Sequence, residues 1–292
     1  MSITVSYVVV SPVRNEGKHL QLTIDSMVRQ SVQPTRWIIV NDGSTDDTGR
    51  IAAAAAAAHS WIEVVDRTDR GFRQAGGGVI DAFYDGYRLV ENQLADFLVK
   101  LDGDLSFAPD YFARCFAHFA GDSRLGIAGG IICSNAGGTV DVESKVDPKF
   151  HVRGATKIYR QECWRAIGGL LHSPGWDTMD EVKANMLGWT TRTLPDLPVI
   201  HHRPTGAAYG VWKDRVKNGR GCYIMGYHPL FMFLKCLSRM AEKPYVVSGF
   251  GLWFGFVEGY VKRLPQIKDP PLIKYFRQQQ MNRLLFRKNL WT

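Results

Sequence analysis

The sequence predicts an α/β fold around a mostly parallel central sheet, followed by a helical, aromatic-rich C-terminal extension. Two observations carry this. Over the first 130 residues short apolar runs alternate with helical patterns, the signature of right-handed βαβ units. Beyond Pro204 the alternation stops, and aromatics, glycines and basic residues take over. Residues 1–203 are therefore expected to form one domain and 204–292 an appended region.

The first strand is expected at Ser6–Val10, then a helix at His19–Gln30 and a strand at Trp37–Val40. A helix at Thr45–His59 follows, with Asp46, Asp47 and Thr48 offering capping groups and seven alanines, 52–58, as strong helix formers. Ile62–Val65, Phe97–Leu101 and Gly126–Ile132 read as further strands, separated by helices at Gly78–Glu91 and Pro109–Phe119. The middle of the chain is less regular. It predicts a strand at Phe150–Tyr159, helices at Glu162–Ile167 and Met179–Leu187, and a last strand at Thr190–Ile200. Thr178 and Glu181 have the spacing of a capping box.

In the extension, 221–234 and 244–257 each run fourteen residues without Asp, Glu, Lys or Arg. A spanning helix needs about 20 apolar residues, so two readings stay open: a buried helical subdomain, or a segment lying on a membrane surface.

Of 292 residues, 45% are hydrophobic and 22% charged, as in a folded globular protein. The net charge of +8 is uneven. From 201 onward sixteen Lys and Arg face four acidic residues, a net +12, whereas residues 1–200 carry −4. No nucleic-acid-binding motif accompanies the basic tail, so an anionic membrane surface or a phosphorylated lipid is the expected partner, with no nucleic acid. Five scattered cysteines without a CxxC pair favour a reducing, cytoplasmic setting. The N-terminus does not read as a secretory signal.

In an open parallel sheet, ligands bind beyond the carboxyl ends of the strands. Polar residues follow four successive strands there: Ser11–Glu16, Asn41–Thr45, then Asp66 with Asp69 and Arg70, and Asp102-Gly103-Asp104. Two carboxylates flanking a glycine can approach one hard cation, Mn²⁺ or Mg²⁺, which also binds substrate phosphates.

Three segments, Pro12-Val13-Arg14-Asn15-Glu16, Asn41-Asp42-Gly43-Ser44 and Asp102-Gly103-Asp104, together resemble the family 2 glycosyltransferases in order and separation. That resemblance spans about residues 5–202. It implies a Rossmann-like GT-A fold and an inverting, metal-dependent transfer from a nucleotide-sugar donor to a saccharide or lipid-linked acceptor. By the resemblance Pro12, Val13, Glu16 and Gly103 line the donor pocket, and Asp42 binds the base. Asp69 and Arg70 continue the pocket toward the ribose and diphosphate. Asp102 contacts ribose or sugar, Asp104 ligates the metal, and His201 is a candidate further ligand. Gly154-Ala155 resembles the acceptor loop. Counting back from Gly188-Trp189 places the catalytic base at Asp177, with Asp180 as the alternative. Here the chain departs from the family, because Trp176 stands where a Glu is usual. That departure leaves open a nucleotide-sugar-binding protein without catalysis. The segment Asp102–Ser106 also fits the nucleophile loop of haloacid dehalogenase-type phosphohydrolases, but three expected strands precede it. The absence of GxGxxG after the first strand argues against a dinucleotide-dependent oxidoreductase.

Overall fold

The computed structural model describes residues 5–69, 71, 77–136, 139–144, 147–203, 210–241 and 245–291. Its first half realises the expected alternation: β1 (Tyr7–Val13), α1 (Leu20–Val28), β2 (Arg36–Asp42), α2 (Thr48–Ala58), β3 (Ile62–Arg67), α3 (Gly77–Tyr87) and β4 (Phe97–Leu101). β1 pairs in parallel with both β2 and β4, and β2 with β3. The first strand thus lies inside the sheet, and the chain proceeds outward on either side of it. This arrangement opens a crevice at the carboxyl ends of β1 and β4.

There follow β5 (Leu105–Phe107), α4 (Tyr111–Gly121), β6 (Leu125–Ala136), β7 (Thr139–Val142), β8 (Thr156–Arg160), α5 (Gln161–Ile167), α6 (Trp176–Met186) and β9 (Thr190–His201). The sheet order is β3-β2-β1-β4-β8-β6-β9-β5, with β7 beside β6. β8 is antiparallel to β4 and β6, β9 runs parallel with β6, and β5 and β7 are antiparallel to their neighbours. Among the described residues, six of the nine strands therefore point the same way.

Both faces of the sheet are covered, which explains the nearly continuous apolar strands. Val9, Ile39, Val99 and Leu101 pack into a core with α1 and α4. Alternate residues Val8, Val10, Ile38, Val40 and Leu98 pack into another with α3 and α5.

Three expectations are corrected. β8 begins at Thr156, not Phe150: the Val152 N–H is taken by the Glu181 carboxylate at 2.7 Å rather than by a neighbouring strand. α6 begins at Trp176, three residues early, entered through Gly175 in the left-handed conformation. Glu181 does not cap it. Its carboxylate is fully buried and engaged by Lys157, His151 and Val152.

The C-terminal helices are α7 (Val211–Ile224), α8 (Pro229–Met240), α9 (Val247–Val261) and α10 (Pro270–Leu284). The charge-free run 221–234 is not one helix. It breaks between α7 and α8, where His228 accepts the Leu230 N–H and Pro229 opens the new helix. Among the described residues no helix is long and apolar enough to cross a membrane. The apolar residues of these helices divide between a buried and an exposed set. Met232, Cys236, Leu252, Phe256, Leu272 and Phe276 form a third core with Met179 and Val182 of α6. On the outer side, Leu230, Phe233, Leu234 and Leu237 of α8 stay exposed, as do Val247, Phe250, Phe254, Val257 and Val261 of α9. These positions recur at helical spacing.

Candidate functional site

A cleft of about 140 Å³ opens at the carboxyl ends of β1, β2 and β4, lined by Pro12, Val13, Glu16, Asp42, Asp102, Gly103 and Asp104, together with Arg14 and Arg203. Residues from three separate strand ends thus meet in one place. Gly103 is fixed by space: a Cβ there would lie 2.6 Å from Val13 Cγ1.

Asp42 ends β2 almost buried, its carboxylate held at 2.5 Å by Arg67. Gly43 turns the chain at φ +64°, and a Cβ on it would sit 2.4 Å from Asp69 Cα. That close approach brings Asp69 to the rim. Arg14 joins the two segments, donating to the Asp42 carbonyl at 2.5 Å and to Asp69 Oδ1 at 2.6 Å. Arg70, expected beside Asp69, lies outside the described residues.

Asp104 is 3% exposed. Its Oδ2 lies 3.3 Å from His201 Nε2 and 3.4 Å from Arg203 Nε, and Oδ1 has no hydrogen-bond partner among the described residues. Arg203 also bonds Glu16. Burial works against the Asp104 carboxylate, but the hydrogen bond and charge of His201, with Arg203 and Lys100, outweigh it and hold the group below the usual carboxylate range. Burial likewise disfavours protonated His201, yet Asp104 and Glu143 raise it above its ordinary value. Among the described residues no three His, Cys, Asp or Glu side chains form a ready cation cage. The fit to a cation is a partial one. Asp104 offers an orphaned buried oxygen and His201 a nitrogen beside it, while Mn²⁺ or Mg²⁺ commonly takes its remaining ligands from substrate phosphates and water.

Sequence reasoning missed Glu143. Its carboxylate accepts from His201 Nδ1 at 2.7 Å and from Arg153 at 2.7 Å, so the imidazole is oriented with Nε2 toward Asp104. Glu143 follows β7 in an irregular segment, and no motif marks it.

The second group of residues stands beside Asp102. Buried Lys100 bonds the Asp102 carboxylate and donates to the Gly154 carbonyl at 2.5 Å, while the Asp102 N–H donates to the Ala155 carbonyl at 2.8 Å. The Gly154–Ala155 turn is thereby tied directly to the cleft. A Cβ on Gly154 would lie 3.0 Å from the Trp176 ring and 3.4 Å from Asp177 Cβ, so Asp177 sits just behind that turn, partly accessible.

Asp180 has different surroundings. It is 2% exposed, bonded at 2.9 Å by both oxygens to fully buried Lys157 and at 2.6 Å by the Tyr159 hydroxyl. Burial pushes its pKa up to about 6 against the pull of Lys157. Trp176, the odd residue of the motif, packs against the ammonium groups of Lys100 and Lys157, 5.5 and 5.6 Å from its ring centre. Its ring face favours cations. Lys100 interrupts the otherwise apolar strand FLVKL, and that interruption was the available signal for it, whereas Lys157 lies in the mixed strand TKIYR and carried none.

The family model for glycosyl transferase family 2 matches residues 8–173. A Mycoplasma pneumoniae protein described as an uncharacterized glycosyltransferase, MG025 homolog, is 31% identical over 120 residues, 40% of this chain and 37% of that protein. The 4,4'-diaponeurosporenoate glycosyltransferase of Staphylococcus aureus is 33% identical over 99 residues, 34% of this chain and 24% of that enzyme. The matched stretches thus span well under half of these curated relatives. Among solved structures, the mannosyltransferase PcManGT from Pyrobaculum calidifontis, in complex with GDP-Man and Mn²⁺, has a TM-score of 0.56 at 16% identity, covering 95% of this chain and 80% of that one. That likeness is one of fold.

Proposed function

The chain belongs to glycosyl transferase family 2, and on that premise we propose that it moves a sugar from a nucleoside-diphosphate donor to an acceptor hydroxyl with inversion. The observation that carries the reading is the meeting of Asp42 and Asp104, from separate strands, in one cleft at the point where the sheet order reverses.

In this reading residues 1–203 form the donor-binding and catalytic domain, and 204–292 serve the acceptor side. Asp42, Pro12, Val13 and Glu16 hold the nucleoside, with Asp69 at the rim. Asp102 and Gly103 contact the ribose or sugar. Asp104 and His201 would hold Mn²⁺ or Mg²⁺, whose charge offsets that gathering on the departing diphosphate. Glu143 keeps His201 in the tautomer that presents Nε2. Arg203 spans Glu16 and Asp104 across the cleft, where its guanidinium can turn to an incoming diphosphate.

Asp177 takes the proton of the acceptor hydroxyl. The oxygen then bonds to the anomeric carbon, and the bond to the diphosphate breaks with its electron pair leaving on the nucleotide. Asp180 is committed to Lys157 and Tyr159 and serves as a structural anchor for α6. The Gly154–Ala155 turn, tied to Asp102 and abutting Asp177, brings acceptor and donor together.

The exposed apolar faces of α8 and α9, joined where Phe233 meets Trp253 and followed at the end of α9 by Lys262 and Arg263, suit peripheral contact with an anionic membrane surface. This favours a lipid-linked acceptor in polysaccharide or glycolipid assembly.

The test is calorimetry of nucleotide sugars with and without Mn²⁺. Wild-type protein should bind a donor more tightly with the metal, and Asp104→Ala should lose that metal-dependent gain. Identical donor affinity in the two proteins with Mn²⁺ present would contradict the assignment.

A further inference from the structure

Behind the Gly154 turn lies a second cavity, larger than the donor cleft at about 740 Å³, between the segment 147–151 and the helices α8 and α10. Its lining is cationic and aromatic together: Lys149, Lys235 and Arg283 line it with Tyr227, Phe276 and Trp291, and Asp147 is the acidic residue among them. Lys235 rests 4.8 Å from the Tyr227 ring centre, and Arg283 4.9 Å from that of Trp291. Among the described residues neither cation has a carboxylate partner within ion-pair distance. Lys235 also donates to Cys222 Sγ at 3.9 Å, which leaves part of its donor capacity, while Arg283, held on a ring face rather than on an acid, keeps its donors available for an anion.

Two lining residues connect the cavity to its surroundings. Thr178 is adjacent to Asp177 on α6. Leu234 belongs to the exposed apolar face of α8. The lining thus includes a neighbour of the proposed base and a residue of the apolar outer surface.

We propose that this cavity receives the anionic head of an amphiphilic acceptor, a phosphate or carboxylate carried on an apolar chain, with the chain leaving across α8 at Leu234. Arg283 and Lys149 bind the head from the open side and Lys235 from within, while Trp291 and Tyr227 pack against the adjoining atoms. The chain lies where a membrane would supply it. That the ligand is an acceptor rests on the glycosyl-transfer reading; that the cavity binds an anionic amphiphile does not.

The experiment is calorimetry of the full chain with decyl phosphate below its micellar concentration, alongside decanol and inorganic phosphate. Decyl phosphate should bind about tenfold or more tighter than either, since a charged hydrogen bond and the apolar chain each add affinity. The double variant Lys149→Gln/Arg283→Gln, altered only at exposed side chains, should lose about tenfold for decyl phosphate and little for decanol. Decanol binding as well as decyl phosphate would overturn the anionic head, and inorganic phosphate binding as well would overturn the apolar chain. Unchanged decyl phosphate affinity in the variant would overturn the site. Nucleotide-sugar affinity, titrated on the same samples, reports separately on the transferase reading. Its absence beside intact decyl phosphate binding would remove that reading and leave the cavity's ligand in place.

Discussion

Asp177 and Asp180 lie three residues apart on one helix, and replacing each with Asn should separate two kinds of loss. Asp180→Asn removes one of two carboxylates on a fully buried ammonium: Lys157 touches Asp180 at 2.9 Å and Glu181 at 2.8 Å. Breaking a buried ion pair costs about 3–5 kcal/mol when the remaining charge is left alone. Glu181 stays, and Asn can still accept from Tyr159, so the expected loss lies at the lower end, about 3 kcal/mol. Asp177→Asn removes no side-chain ion pair among the described residues, because Lys157 is bonded to the Asp177 backbone carbonyl at 2.5 Å, which the substitution keeps. Stability should hold within about 0.5 kcal/mol. Turnover should fall by about 10²–10⁴, or about 3–5 kcal/mol of barrier. Urea unfolding gives the first quantity, and nucleoside diphosphate release under saturating donor the second. Wild-type turnover in Asp177→Asn, or a stability loss in it equal to that of Asp180→Asn, would refute the division of roles.

Glu143→Gln should leave the fold intact but weaken Mn²⁺ binding by about 10–100-fold, the usual effect of losing a carboxylate that orients a ligating histidine; Mn²⁺ titration followed by electron paramagnetic resonance checks it. Gly154→Ala should lower turnover more than donor affinity, because its Cβ would press on the Trp176 ring at 3.0 Å and displace Asp177; steady-state kcat against donor Kd makes the comparison. Stability should fall as pH rises from about 6.5 to about 9. Burial opposes charge on His151, but the charge and hydrogen bond of Glu181 raise its pKa from 6.5 to about 9. A group whose pKa is higher in the folded state stabilises fully below the unfolded value and loses that contribution as pH climbs through the folded one. The contribution is on the order of 3 kcal/mol, measurable by urea unfolding at either end of the window, and it should be absent in His151→Gln.

Much of the lining of the candidate cleft was legible in the sequence. Asp42 and the pair Asp102 and Asp104 announced themselves because each follows an apolar run, and a parallel sheet delivers every such run's end to the same edge. That inference needs only local periodicity and a topological rule. Strand boundaries were less secure where tertiary contacts competed: residues 150–155 read as strand, yet Glu181 of a distant helix takes the Val152 N–H. The same burial turned a capping-box spacing at Thr178 and Glu181 into an internal ion-pair network.

The sequence by itself determined the α/β order, the acidic strand ends, the family and the change of character after residue 203, because these depend on neighbours along the chain. Only the tertiary structure decided which aspartate of α6 is committed to Lys157 and which stays accessible. It also decided that Glu143 reaches His201 across 58 positions of sequence, and which faces of α8 and α9 remain open. Those outcomes depend on desolvation and on charge pairing between segments remote in sequence, and no local pattern records which partner a buried charge will meet.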